Sequence, residues 1–174
     1  DEQAGWASFF YQNGGGILNE DGTKALLDDP KTIEAMQWWM KMYENYCPPM
    51  STYSESDPQT VFAAGTVAMQ TIGNWDMNFY TDNEAIAGTW DITALPHPAN
   101  GTKATIMNGL ALSVAASSKN IDAAKQFAAY FGTEQGQMDA AMGPSIPCYT
   151  GVSDKWAELN GDKFNTNAVL SQMQ

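Results

Sequence analysis

The sequence predicts an α/β fold, and three observations carry that reading. Apolar residues recur at helical spacing over 30–46 and 121–131. Short apolar runs lie between such segments, Val67 to Ile72, Trp90 to Leu95 and Gly109 to Ala116, each of strand length and bounded by turn residues. The composition is that of a folded chain, with 44% hydrophobic and only 16% charged residues in 174 positions. Strands interspersed with helices give the α/β class. A chain of this length supports one substantial core, with room for a second small subregion.

In order, residues 3–12 (Gln-Ala-Gly-Trp-Ala-Ser-Phe-Phe-Tyr-Gln) read as a helix with an aromatic face, stopped by Asn13-Gly14-Gly15-Gly16. Asn19-Glu20-Asp21-Gly22 reads as a hairpin turn between two very short strands. Asp29-Pro30 starts the next helix. The Asp side chain caps it, and Pro suits the first helical position because its missing N–H would be unpaired there anyway. Ile33, Met36, Trp39 or Met40, and Tyr43 form its apolar face, and Pro48-Pro49 ends it. Asp57-Pro58 repeats the start signal for a helix over 58–64, closed by Gly65. The run Val67 to Ile72 then stops at Gly73, where the backbone is free to turn, and Trp75 follows. A small helix through Phe79 comes next. Pro96-His97-Pro98 stops the run from Trp90. Over 109–116, Leu110, Leu112 and Val114 share one side of a largely buried strand. Ala124, Phe127, Ala128 and Phe131 share a face of the helix over 121–131. Thr133 caps a helix over 133–142, ended by Gly143-Pro144, and short surface helices carrying Trp156 and Leu159 close the chain.

Charge narrows the partners. The net charge is −12, with eight Lys and no Arg. A nucleic-acid surface needs clustered cations to neutralise phosphates, and an anionic membrane surface needs the same, so neither is expected. Without Arg the chain lacks the usual two-pronged partner for carboxylate or phosphate. A neutral or cationic ligand therefore suits it better. The apolar run Ile106 to Ala116 contains Asn108 and Ser113 and is too short to span a bilayer. No secretory signal opens the sequence, which begins Asp1-Glu2; it is intracellular, a processed mature form, or a piece of something longer. Cys47 and Cys148 allow one disulfide or two free thiols.

Catalytic and metal chemistry find little support. The only His, His97, sits between two prolines and reads as a solvated loop residue rather than the base of a dyad with Cys148. Asn19 to Gly22 and Asp82-Asn83-Glu84 supply oxygen atoms without the spacing of a calcium loop, so they read as polar turns, and no metal or cofactor is expected. Gly14-Gly15-Gly16 lacks the Lys and the strand–helix frame of a phosphate loop. Nor does any spacing single out a carboxylate pair for glycoside hydrolysis. What the chain does carry is flat aromatic surface beside small polar groups. Trp6, Tyr11, Trp75 and Trp90 fall near element ends, with Gln12, Asn13, Asn74, Asp76, Asn78 and Asn108 among them. Sugars offer CH faces that stack on aromatic rings and hydroxyls that pair with amides and carboxylates. The competing reading is that such aromatics fill a core.

Order separates the two readings. The aromatic helix precedes the Gly15-Gly16 turn, the Asn19–Gly22 hairpin and the Asp28-Asp29-Pro30 helix start. Val61-Phe62-Ala63-Ala64-Gly65-Thr66-Val67-Ala68-Met69 resembles an F-x-x-G-x-x-A-M motif, and Gly73-Asn74-Trp75 a G-x-W motif. Leu95-Pro96 resembles a P-L-P stop and Asn108-Gly109 a G-G before a strand. Ser117 to Ala124 resembles S-K-N-x-E-A-A, and Gly143 to Pro147 G-x-x-P. In this order they resemble the extracellular solute-binding proteins that serve ABC importers of sugars, the group containing maltose-binding protein.

The resemblance implies part of a two-lobed periplasmic-binding-protein fold, type II-like. A non-enzymatic receptor of this kind closes over a sugar or oligosaccharide and delivers it to membrane permease subunits. It implies an extracytoplasmic location, in a periplasm or lipid-anchored at a cell surface. Trp75 takes the place of the stacking Trp, Asn74 and Asp76 flank it for hydroxyl contacts, and Trp6 falls near a ligand-contacting aromatic. Asn108-Gly109 corresponds to a cleft-lining loop at the hinge, with Asn where the family has its first Gly. By the same mapping, residues 1–105 form most of the C-lobe and 106–174 the hinge-crossing strand and partial helices of the other lobe. Family members begin with a lobe that has no counterpart here and end in further helices. A fragment is therefore expected, with exposed strand edges that invite self-association or swapping. The alternative function is a carbohydrate-active enzyme or a lectin-like sugar-binding module.

Overall fold

The computed structural model describes residues 3–49, 51, 58–140, 145–149 and 151–173. Its helices follow the local signals closely. α1 (Gln3–Gln12) and α2 (Pro30–Tyr46) pack against one another, with Phe9 and Trp38 in ring contact at 5.1 Å. Asp29 caps α2 as its sequence predicts, accepting from the Lys31 N–H at 2.8 Å. The buried stripe of α2 is set by its small residues. Thr32 and Ala35 are buried and let α1 and its following turn approach closely, while Ile33 and Met40, expected on that face, are exposed. The Thr32 hydroxyl binds both backbone groups of Gly16, accepting from N–H at 3.0 Å and donating to the carbonyl at 3.1 Å. At Gly15 a Cβ would lie 2.7 Å from the Thr32 nitrogen, so this close approach requires glycine. The expected hairpin is present in its smallest form. Leu18 and Ala25 make an isolated antiparallel bridge, Leu26 N–H donates to the Ile17 carbonyl at 2.9 Å, and Gly22 turns at φ +71°.

Around a second centre lie α3 (Pro58–Ala63), α4 (Met77–Thr81), α7 (Ser153–Asn160) and α8 (Thr166–Leu170). Met77, Tyr80, Ile86, Trp156 and Phe164 form the buried cluster, flanked by Phe62, Ile72, Trp90, Ile92, Ile146 and Leu170. Trp156 is fully buried rather than a surface-helix residue, because its ring closes this cluster against Phe164 at 6.1 Å. Trp90 is likewise a core aromatic, tilted on Tyr80 at 5.4 Å and stacked near Phe164. Asp57, the expected cap of α3, lies outside the described residues, and so does the Gly143-Pro144 stop.

α5 (Ile121–Phe131) turns into α6 (Glu134–Ala140), whose first turn is held by the Thr133 hydroxyl accepting from Gly136 N–H at 3.1 Å. α6 reaches the second centre through Lys155, which pairs with Glu134 at 2.6 Å. The predicted strands are a correction. Among the described residues, 67–72, 90–95 and 109–116 run without a paired ladder. The apolar side expected to be buried over 109–116 is largely open, with Leu110 94% and Leu112 51% exposed. A strand exists only through a neighbour's N–H and C=O groups, and among the described residues these three make no such pairing.

Candidate ligand-binding face

Trp75 sits in a single 3₁₀ turn, Asn74–Asp76, immediately before α4. Met77 and Tyr80 fix that helix in the core, while the indole two residues before Met77 is 44% exposed. Gly73 contributes differently from expectation. Its φ of −85° and ψ of 152° are open to any residue, so no special turn is needed. Instead, a Cβ at Gly73 would collide with the Trp75 indole: the glycine is a seat on which the ring lies.

Asp76 accepts from the Gln59 side-chain amide of α3 at 2.9 Å, which braces the turn and occupies one of its oxygens. Asn74 receives the Met77 N–H on its backbone carbonyl. Beneath them the Tyr80 hydroxyl donates to Gln70 at 3.3 Å. Burial, and secondarily the negative charge of Asp76, push that phenol up to about 12, while the Gln70 bond works in the opposite direction.

The other sequence-predicted residues lie elsewhere. Trp6 is half-buried on α1 and packs on Phe10 at 5.1 Å. Asn108 and Gly109 are exposed in the extended segment before α5, and a Cβ at Gly109 would meet open space. Among the described residues, no hydrogen bond or ring contact joins Trp6, Trp75 and Asn108 to one another. Sequence reasoning missed Gln59, since nothing local marks a side chain that meets Asp76 across seventeen positions. An open depression of about 490 Å³ adjoins the same helix, lined by Asn78, Phe79, Asp82, Asn83, Glu84 and Ala85. Its Asn83 acts as expected of a polar turn, accepting from Ala85 N–H at 3.1 Å. His97 is exposed with its ring Nδ1 3.0 Å from the Pro98 carbonyl, and Cys47 and Cys148 are both free and exposed. No described helix is long and apolar enough to cross a membrane.

Comparison with solved structures gives two matches to note. One is an ABC substrate-binding protein of Listeria monocytogenes in complex with cycloalternan, 20% identical, TM-score 0.75, covering 97% of this chain and 44% of that one. The other is an ABC transporter solute-binding protein of Thermotoga lettingae bound with α-D-tagatose, 27% identical, TM-score 0.74, covering 92% of this chain and 42% of that one. The chain thus spans less than half the length of either. Both are two-lobed solute-binding proteins, and this chain matches part of that α/β fold. No curated protein matches the sequence. The family model for the bacterial extracellular solute-binding protein matches residues 2–138. The chain belongs to the bacterial extracellular solute-binding protein family.

Proposed function

We propose that this chain is a portion of the substrate-binding component of an ABC importer, taking a sugar or oligosaccharide and delivering it to permease subunits outside the cytoplasm. The observation that carries the proposal is the Trp75 ring, half-exposed on its Gly73 seat and flanked by Asn74 and Asp76. A flat ring beside polar groups suits a ligand with one apolar face and a rim of hydroxyls. Family membership supports it, as does the tagatose bound to the Thermotoga protein. The absence of Arg, in a chain of net charge −12, favours an uncharged ligand over an anionic one. Trp6, Asn108 and Gly109 are assigned to the same ligand by the family mapping, from elements separate from the Trp75 turn. The receptor acts without catalysis.

Titration calorimetry against a panel of mono- and oligosaccharides that includes tagatose tests the reading. Trp75→Ala is expected to weaken binding by about 1–3 kcal/mol. Equal affinities for parent and variant remove Trp75 from the site, and hydrolysis of any panel member supports the enzyme alternative.

A further inference from the structure

We propose that Gln12 is a positioning residue that tethers segment 101–104 to the C-terminal end of α1 and so sets where the Asn108–Gly109 loop begins. The inference rests on the reading of that loop as part of the ligand site, but its geometry stands independently. Gln12 is only 1% exposed and grips the segment twice. Its side-chain Nε2 donates to the Ala104 carbonyl at 3.0 Å, and its own carbonyl accepts from Thr102 N–H at 3.0 Å. Since Ala104 offers only an oxygen here, the amide is oriented with nitrogen toward it. Gly101 completes the fit, because a Cβ there would collide with the Gln12 carbonyl.

Beyond this tether the chain is free of such anchors. Among the described residues, 105–114 make no backbone–backbone hydrogen bond, and the next is Ser118 N–H to the Ala115 carbonyl at 3.0 Å. Gln12 is therefore the last fixed point before Asn108. It lies on the helix that carries Trp6. One buried amide thus links two elements whose residues are assigned to the same ligand, although those residues do not touch.

Lys103 stands between the two gripped residues and supplies the readout. Trypsin cleaves after lysine, and cleavage requires the local chain to leave its fixed conformation. Lys119, in the exposed turn before α5, is an internal reference. Gln12→Met keeps the shape of the side chain and removes the donor, and Gly101→Ala displaces the segment from the other side. In the full chain without ligand, each substitution is expected to raise initial cleavage after Lys103 about tenfold relative to Lys119. An unchanged ratio in both variants overturns the proposal. So does an equal rise at both lysines, which would mean general loosening instead of a lost tether. If Gln12→Met does not fold, Gly101→Ala decides alone by the same ratio. No sugar enters the assay, so its outcome is distinguishable from failure of the sugar-binding reading.

Discussion

Gly73 and Trp75 show how far a single residue can be read from sequence. A glycine ahead of a tryptophan suggests a backbone turn, and the structure gives a steric reason instead. The distinction has a testable consequence. In Gly73→Ala the new methyl meets the far end of an exposed indole, which swings away more easily than the backbone yields. Stability should change by no more than about 0.5 kcal/mol in urea titration, while sugar affinity falls nearly as far as in Trp75→Ala. A loss of stability with affinity intact would reverse that account. Tyr80 gives a second residue-scale prediction. Its folded pKa of about 12 stands above the ordinary 10.0, so the folded state keeps the phenol proton that the unfolded chain releases. Stability from this group is complete below pH 10 and is lost between about 10 and 12. Tm should fall across that window in step with tyrosinate absorbance, and less steeply in Tyr80→Phe. The Trp75 motif was legible because its cues are contiguous. The Gln59 brace was not, since it reaches from another helix.

At the scale of elements, legibility followed locality. Asp29-Pro30, Thr133 and the Asn19–Gly22 turn each act within a few positions of themselves, and each does in the structure what its sequence implies. Asp29→Ala should therefore cost about 1 kcal/mol of stability, read as a shifted urea midpoint with the slope unchanged. A cost near zero would mean that the single Lys31 N–H is equally well served by water. The buried stripe of α2 was misjudged by one position, because Thr32 rather than Ile33 meets the Gly15–Gly16 backbone. The strand segments show the other limit. Their apolar alternation is plain in sequence, but a ladder is a property of two segments, and among the described residues 109–116 is paired with none.

For the whole molecule, the second centre draws on distant stretches of chain. Met77 and Tyr80 share one core with Trp156 and Phe164, which lie on the far side of the 105/106 division expected between lobes. Long-range burial of this kind leaves no local trace, and so Trp156 reads as a surface residue in sequence. Trp156→Ala should cost about 3–5 kcal/mol, a large share of the about 5–15 kcal/mol that holds a typical domain. Circular dichroism should show either an unfolded chain or a steeply lowered Tm. Trp156→Phe breaks no hydrogen bond among the described residues, where the indole N–H has no partner, and should cost clearly less. The seat beneath Trp75 carries one more consequence. Of the six tryptophans, Trp156 is sealed from solvent while Trp75 lies open on a glycine. Acrylamide should therefore quench emission from Trp75 and from the equally exposed Trp38, and spare the sealed Trp156. A ligand settling on Trp75 would shield part of the fluorescence that the quencher reaches and leave the Trp38 part unchanged, and the molecule would report its own occupancy in light.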